Sequence, residues 1–144
     1  MKIAIASDHG GFEAKQKLVT FLKSLGHEIE DFGCSNEESC DYPDYGIPAV
    51  KSIATGKNDR GILICTNGIG MCMLANKIPG ILAALVYNKR TAEMTRRHHG
   101  SNVLCLGGKE FSIETLQEFI NVWLSTEFEG GRHERRIKKI LALD

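Results

Sequence analysis

Cys65 follows the apolar run Gly61-Ile62-Leu63-Ile64 and precedes Thr66-Asn67-Gly68-Ile69-Gly70. An apolar strand that runs into a glycine-punctuated turn opening a helix sets a thiol beside unpaired backbone N–H groups, at the positive end of a helix dipole. That setting favours thiolate over thiol and offers donors to a developing oxyanion, which is equipment for acid–base or nucleophilic work on a carbonyl compound. The competing account is that Cys65 ends a buried strand, where cysteines are common.

Other residues could join it. Asp8 and His9 follow the first apolar run; Asp8 also fits an N-cap for the segment beginning at Gly11, which leaves His9 unexplained. Arg132 and Arg136 are four apart, so they share a helix face and can grip one phosphate. With Arg135, Lys138 and Lys139 alongside, that tail reads equally as a solvated basic face. His98 and His99 precede the helix stop Gly100, where they can meet the last carbonyls or serve as the acid–base group. Gly68-x-Gly70 lacks the third glycine of a dinucleotide fingerprint, Met73 standing there, and no glycine-lysine-hydroxyl sequence makes a phosphate loop.

The elements that must position these residues alternate. Residues 2–7, 27–32, 61–65, 81–86 and 102–107 read as five strands; Phe12 to Leu25, Ile47 to Ala54, Lys89 to His98, Ile113 to Leu124 and Arg132 to Leu143 read as helices. Gly26, Gly56 and Gly100 fall where helices should stop. Strands separated by helices imply right-handed crossovers: an α/β fold, a Rossmann-like three-layer sandwich with a mostly parallel five-stranded sheet. Ligands of such sheets sit beyond the carboxyl ends of the strands, where Asp8-His9, Cys65 to Gly70 and Gly107-Gly108-Lys109 should converge. Residues 34–46 are too polar for a strand and are expected to form a functional loop near that edge.

At 144 residues the chain fits one domain, with a helical tail from about residue 129. Equal counts of basic and acidic residues (18 each) argue against a nucleic-acid partner bound through bulk charge, but leave room for a small anion. No apolar run is long enough for a membrane span and the N-terminus lacks a signal-peptide pattern, so a cytoplasmic location is expected. Five cysteines without C-x-x-C spacing indicate neither a disulfide framework nor a zinc site, and a metal shared by Cys34, Cys40 and His133 would be a coincidence of scattered ligands.

Taken in order, Ser7-Asp8-His9-Gly10-Gly11, Asp41-Tyr42-Pro43, Cys65-x-x-Gly68-Ile69-Gly70-Met71, Ala75-Asn76-Lys77-x-Pro79-Gly80-Ile81, Ser101 through Gly108 and Glu129-Gly130-Gly131-Arg132-His133 resemble the ribose-5-phosphate isomerase B family. Allose-6-phosphate and galactose-6-phosphate isomerases belong to the same wider group. The resemblance spans essentially the whole chain. It implies a homodimer of Rossmann-like subunits with the active site between them, and leaves open whether dimers pair into tetramers.

By position, it implies that Cys65 is the base moving a proton between C2 and C1, and that His98 opens the furanose ring. Asp8, His9, Tyr42, His99 and Lys109 fall on sugar-contacting or cleft positions. The backbone of Thr66, Asn67, Gly68, Ile69 and Gly70 matches the loop that holds the enediolate oxygen, and Arg132 and Arg136 match the phosphate ligands. Neither a metal nor a redox cofactor is required. Three departures from the family pattern stand out. Thr66-Asn67 replace glycine followed by a hydroxyl residue, His99 replaces asparagine so that either imidazole can open the ring, and Leu82 replaces a frequent arginine. These departures bear on substrate preference, between a pentose 5-phosphate and a six-carbon sugar phosphate, and admit a non-catalytic sugar-phosphate binding module.

Overall fold

The structure is a computed structural model that describes residues 1–144. Five strands, β1 (Lys2–Ser7), β2 (Glu28–Asp31), β3 (Arg60–Cys65), β4 (Ala83–Leu85) and β5 (Val103–Gly107), form one sheet in the order β2-β1-β3-β5-β4. All four pairings are parallel, so the sheet is wholly rather than mostly parallel. The helices are α1 (Phe12–Ser24), α2 (Tyr42–Ala54), α3 (Ile69–Ala75), α4 (Lys89–His99), α5 (Ile113–Ser125) and α6 (Arg132–Leu141).

Strand side chains alternate between two cores, as a parallel sheet covered on both faces requires. Ile3, Ile5, Ile62, Ile64, Leu104 and Leu106 pack under α1, α4 and α5 with Leu18, Leu22, Phe119 and Trp123. Ala4, Ala6, Leu63, Cys65, Val103 and Cys105 pack under α2 and α3 with Val50, Ile53 and Met71. The chain leaves β1 toward β2 on one face and returns across the other to β3. The crevice between the carboxyl ends of β1 and β3 is therefore the topological switch point.

The expected loop 34–46 is shorter than its composition suggested, because α2 begins at Tyr42. Pro43 in the first turn has no N–H to leave unpaired, and Gly46 lets the helix approach α3, since a Cβ there would lie 2.8 Å from Met71 Sδ. The fourth strand is shorter than 81–86: the Leu82 N–H goes to Asn102 Oδ1 and the Ala83 N–H to Asn76 Oδ1, so side chains replace the ladder at this edge. Gly26, Gly56 and Gly100 do follow helix ends, with φ of +87°, +77° and +60°.

Candidate active site

At the carboxyl edge, β3 delivers Cys65 with 5 % of its surface exposed, and the Gly68 N–H donates to its Sγ at 3.1 Å. Gly68 makes this turn possible: its φ is +83°, and a Cβ would lie 2.7 Å from Leu85 Cδ1 and 2.9 Å from the Leu106 carbonyl carbon. The Ile69 N–H is taken by Asn67 Oδ1 at 3.0 Å. The N–H groups of Asn67, Gly70 and Met71 donate to no protein acceptor, so a row of main-chain donors stands open beside the thiol. The Tyr42 ring lies on Gly70, where a Cβ would come within 2.7 Å of Tyr42 Cζ.

Asp8 caps the short turn His9–Gly11 that leads into α1, its Oδ1 accepting the Gly11 N–H at 3.1 Å. His9 Nδ1 accepts the Cys40 N–H at 3.2 Å, which assigns the ring proton to Nε2 and leaves that N–H as a donor. Lys109 is held beside this group by its own N–H, which donates to Thr66 O at 3.2 Å. His9, Gly10, Thr66, Gly108 and Lys109 line a cleft of about 620 Å³ on the α1 and α5 side. Cys65 faces the α2 and α3 side of the same edge. A ligand touching both must therefore cross the ends of β1 and β3.

The remaining expected residues are elsewhere. Helix α4 descends from the carboxyl end of β4 to the amino end of β5, so His98 and His99 in its last turn stand at the amino edge. Arg132 and Arg136 on α6 join them there. Six-residue β3 separates the two edges by about 20 Å at about 3.3 Å per residue. Within one chain, Cys65 and His98 are thus not assembled into a single site.

The amino edge has its own architecture. Buried Arg96 donates to Ser101 O at 2.6 Å and to Thr126 O at 3.3 Å, tying the end of α4 to the end of α5. The Trp123 indole N–H donates to Ser101 Oγ at 2.9 Å, and Arg60 lies 5.2 Å over the Trp123 ring. The His98 ring stacks on His133, with centroids 4.1 Å apart and planes within 10°. Glu129 bridges this pair to Arg97, whose Nε donates to its Oε1 at 2.6 Å.

Burial lowers the pKa of His133, as do the neighbouring charges of His98 and Arg132, while Glu129 opposes them. His99 is lowered for the same first reason and by His98. The hydrogen bond from Arg97 holds Glu129 below the usual carboxylate range. His98, Glu129 and His133 bring three donor atoms within 4.8 Å of one another. The in-plane lone pairs of parallel rings do not converge on one ion, so the stacked pair is poorly arranged to share a metal. His133 at this edge is also far from Cys34 and Cys40, which rules out the metal trio they would have formed.

Sequence reasoning missed three contributors: the Cys40 main chain that orients His9, the Asn67 carbonyl that consumes the Ile69 donor, and Glu129 with His133 behind His98. Only the last had a local signal, the Glu-Gly-Gly-Arg-His string.

A family model described as ribose/galactose isomerase matches residues 3–140. Ribose-5-phosphate isomerase B of Escherichia coli is 37% identical over 143 residues, 99% of this chain and 96% of that protein. Among solved structures, ribose-5-phosphate isomerase B of Clostridium thermocellum superposes with a TM-score of 0.98 at 43% identity, over 99% of this chain and 97% of that one. The Mycoplasma genitalium enzyme of the same name, solved with bound ribulose-5-phosphate, gives 0.94 at 39% identity, over 99% and 95%.

Proposed function

The chain belongs to the ribose/galactose isomerase family, and from that premise we propose that it interconverts ribose 5-phosphate and ribulose 5-phosphate through an enediolate. The observation that carries this reading is Cys65 Sγ held by the Gly68 N–H, with the open N–H groups of Asn67, Gly70 and Met71 beside it.

Aldose–ketose isomerisation needs a base over the α-carbon, donors for the oxygen that gains charge, and a grip that positions the chain. Cys65 as thiolate takes the proton from C2 and returns it to C1. The open main-chain donors hold the enediolate oxygen. His9 Nε2–H and Lys109 receive the sugar phosphate from the cleft side, and Arg132 and Arg136 clamp its phosphate. Before that transfer the furanose must open. The O1 hydroxyl proton leaves, the C1–O4 bond breaks, C1=O1 forms and O4 takes a proton. His98 carries this net proton transfer from O1 to O4, assisted by Asp8.

Because His98, Arg132 and Arg136 stand at the edge opposite Cys65, the complete site requires them from a second copy. The functional unit is accordingly a homodimer with shared active sites. Support comes from apolar side chains left exposed around the Cys65 edge, Tyr42, Ile47, Ile69 and Met73 among them. One isomerase domain spans 1–144, acting in the cytoplasm, and no helix is long and apolar enough to cross a membrane. Thr66 fills the space above Gly10, where a Cβ would collide with its Oγ1, so its hydroxyl stands at the cleft that is to receive the sugar.

The test is conversion of ribose 5-phosphate by the purified protein, with Cys65→Ser as the paired control and allose and galactose 6-phosphates as comparators. Pentose turnover that disappears in the variant supports the reading. Faster turnover of a six-carbon substrate would reassign the substrate, and binding without any turnover would make the chain a sugar-phosphate binding module.

A further inference from the structure

The stacked imidazoles at the amino edge include one that the proposed chemistry does not use. His133 is 6 % exposed, and its Nε2 is buried with no hydrogen-bond partner, Glu129 Oε2 lying 3.5 Å away. A buried polar nitrogen left unpaired is a cost to stability that a phenyl ring of similar shape would avoid. Its surroundings are nonetheless tightly built. The Glu129 N–H donates to Arg97 O at 3.0 Å and the His133 N–H to Gly130 O at 3.1 Å, so the turn before α6 is fastened by main chain to the last turn of α4. Arg97 is fixed in turn by Glu129 and, at 3.2 Å, by Glu93. The result is a flat, well-supported surface against one face of His98, 4.1 Å from ring centroid to ring centroid.

We propose that His133, anchored beside Glu129, is a positioning residue that fixes the ring plane of His98 for opening the furanose, without itself touching the sugar. This rests on the isomerase reading above and on His98 as its ring-opening group. A rotating imidazole would sample many directions. One stacked on a well-supported neighbour keeps its in-plane nitrogen aimed where O1 and O4 must exchange a proton, a gain in orientation of the kind that intramolecular catalysis exploits. Proton transfer between C1 and C2 by Cys65 does not depend on that plane.

The experiment separates the two steps. Ribulose 5-phosphate is an open chain, so exchange of its C1 hydrogen with deuterated water reports the Cys65 step alone, whereas net conversion to or from ribose 5-phosphate includes the ring. For His133→Leu, net conversion should fall about tenfold or more, with KM little changed and C1 exchange within about threefold of wild type. His133→Phe keeps the flat face and should recover most of the lost kcat; Glu129→Gln should lie between. Equal conversion by His133→Leu and wild type would overturn the proposal. So would a parallel loss of exchange and conversion in His133→Phe, which is expected to fold even if the leucine variant does not. A wild-type protein that neither exchanges nor converts would instead remove the isomerase reading beneath it.

Discussion

The two edges of the sheet solve different electrostatic problems. At the carboxyl edge the open main-chain N–H donors of Asn67, Gly70 and Met71 are grouped around one thiol. At the amino edge they are imidazole and guanidinium groups, held up by the buried cation Arg96 and by the Glu129–Arg97 pair. Partial charges suit an oxyanion that exists only briefly, because they stabilise it without a full opposite charge that would also trap the resting carbonyl. Full charges suit a phosphate that is anionic throughout. On the proposed reading, holding the phosphate and stabilising the transition state fall to different parts of the fold.

The largest effect that would break this division is at Cys65. Cys65→Ser should lower turnover by about a hundredfold to ten-thousandfold, the usual size of a general-base contribution. Sugar phosphate should still raise its Tm, since the proposed phosphate grip of Arg132 and Arg136 lies elsewhere. Mixing that variant with His98→Asn sharpens the point: random reassortment gives half mixed dimers, each with one intact site, so activity should return to about a quarter of wild type. No recovery would mean that each chain works alone. Gly68→Ala forces a side chain into a left-handed turn against Leu85 and Leu106 and should cost about 1–3 kcal/mol in chemical unfolding, with activity lost as the loop shifts. Arg136→Ala should raise KM about tenfold with a smaller change in kcat, whereas an unchanged KM would remove it from the phosphate grip.

The smallest effect is a pH dependence of stability. His133, His99 and His27 all have their folded-state pKa lowered, with burial the first cause in each. The unfolded chain then takes up protons near its ordinary histidine pKa, about 6.5, that the fold resists. Stability should be fully present above that value and decline as the pH falls through it. Tm measured at pH 5.5 should be lower than at pH 7.5, and His133→Phe should flatten the decline. A flat profile in the wild type would contradict the lowered values.

The carboxyl edge was largely legible in the sequence because its chemistry follows from local order: an apolar strand, a cysteine, then glycines, and loops that topology must gather at strand ends. The amino edge was not. Arg132 and Arg136 look like any basic helix face, and His98 like a helix-terminal histidine, until a family pattern marks them. That α4 carries His98 away from Cys65 follows from the parallel crossover between β4 and β5, but nothing local in the sequence shows that the far edge holds a second part of the site. Residues 42–46 read as loop because they continue the polar segment 34–46, and only packing against α3 reveals Gly46 as a helix contact. Nor does any sequence pattern show that the Asn67 side-chain oxygen takes the Ile69 N–H.

Trp123, the only tryptophan in the chain, is fully buried with its indole N–H on Ser101 and a guanidinium over its ring. Its emission is therefore a built-in optical gauge of the amino edge alone. Any loosening of the α4 terminus that lets water reach the indole should shift the spectrum to longer wavelength, while events confined to the thiol loop leave the light unchanged.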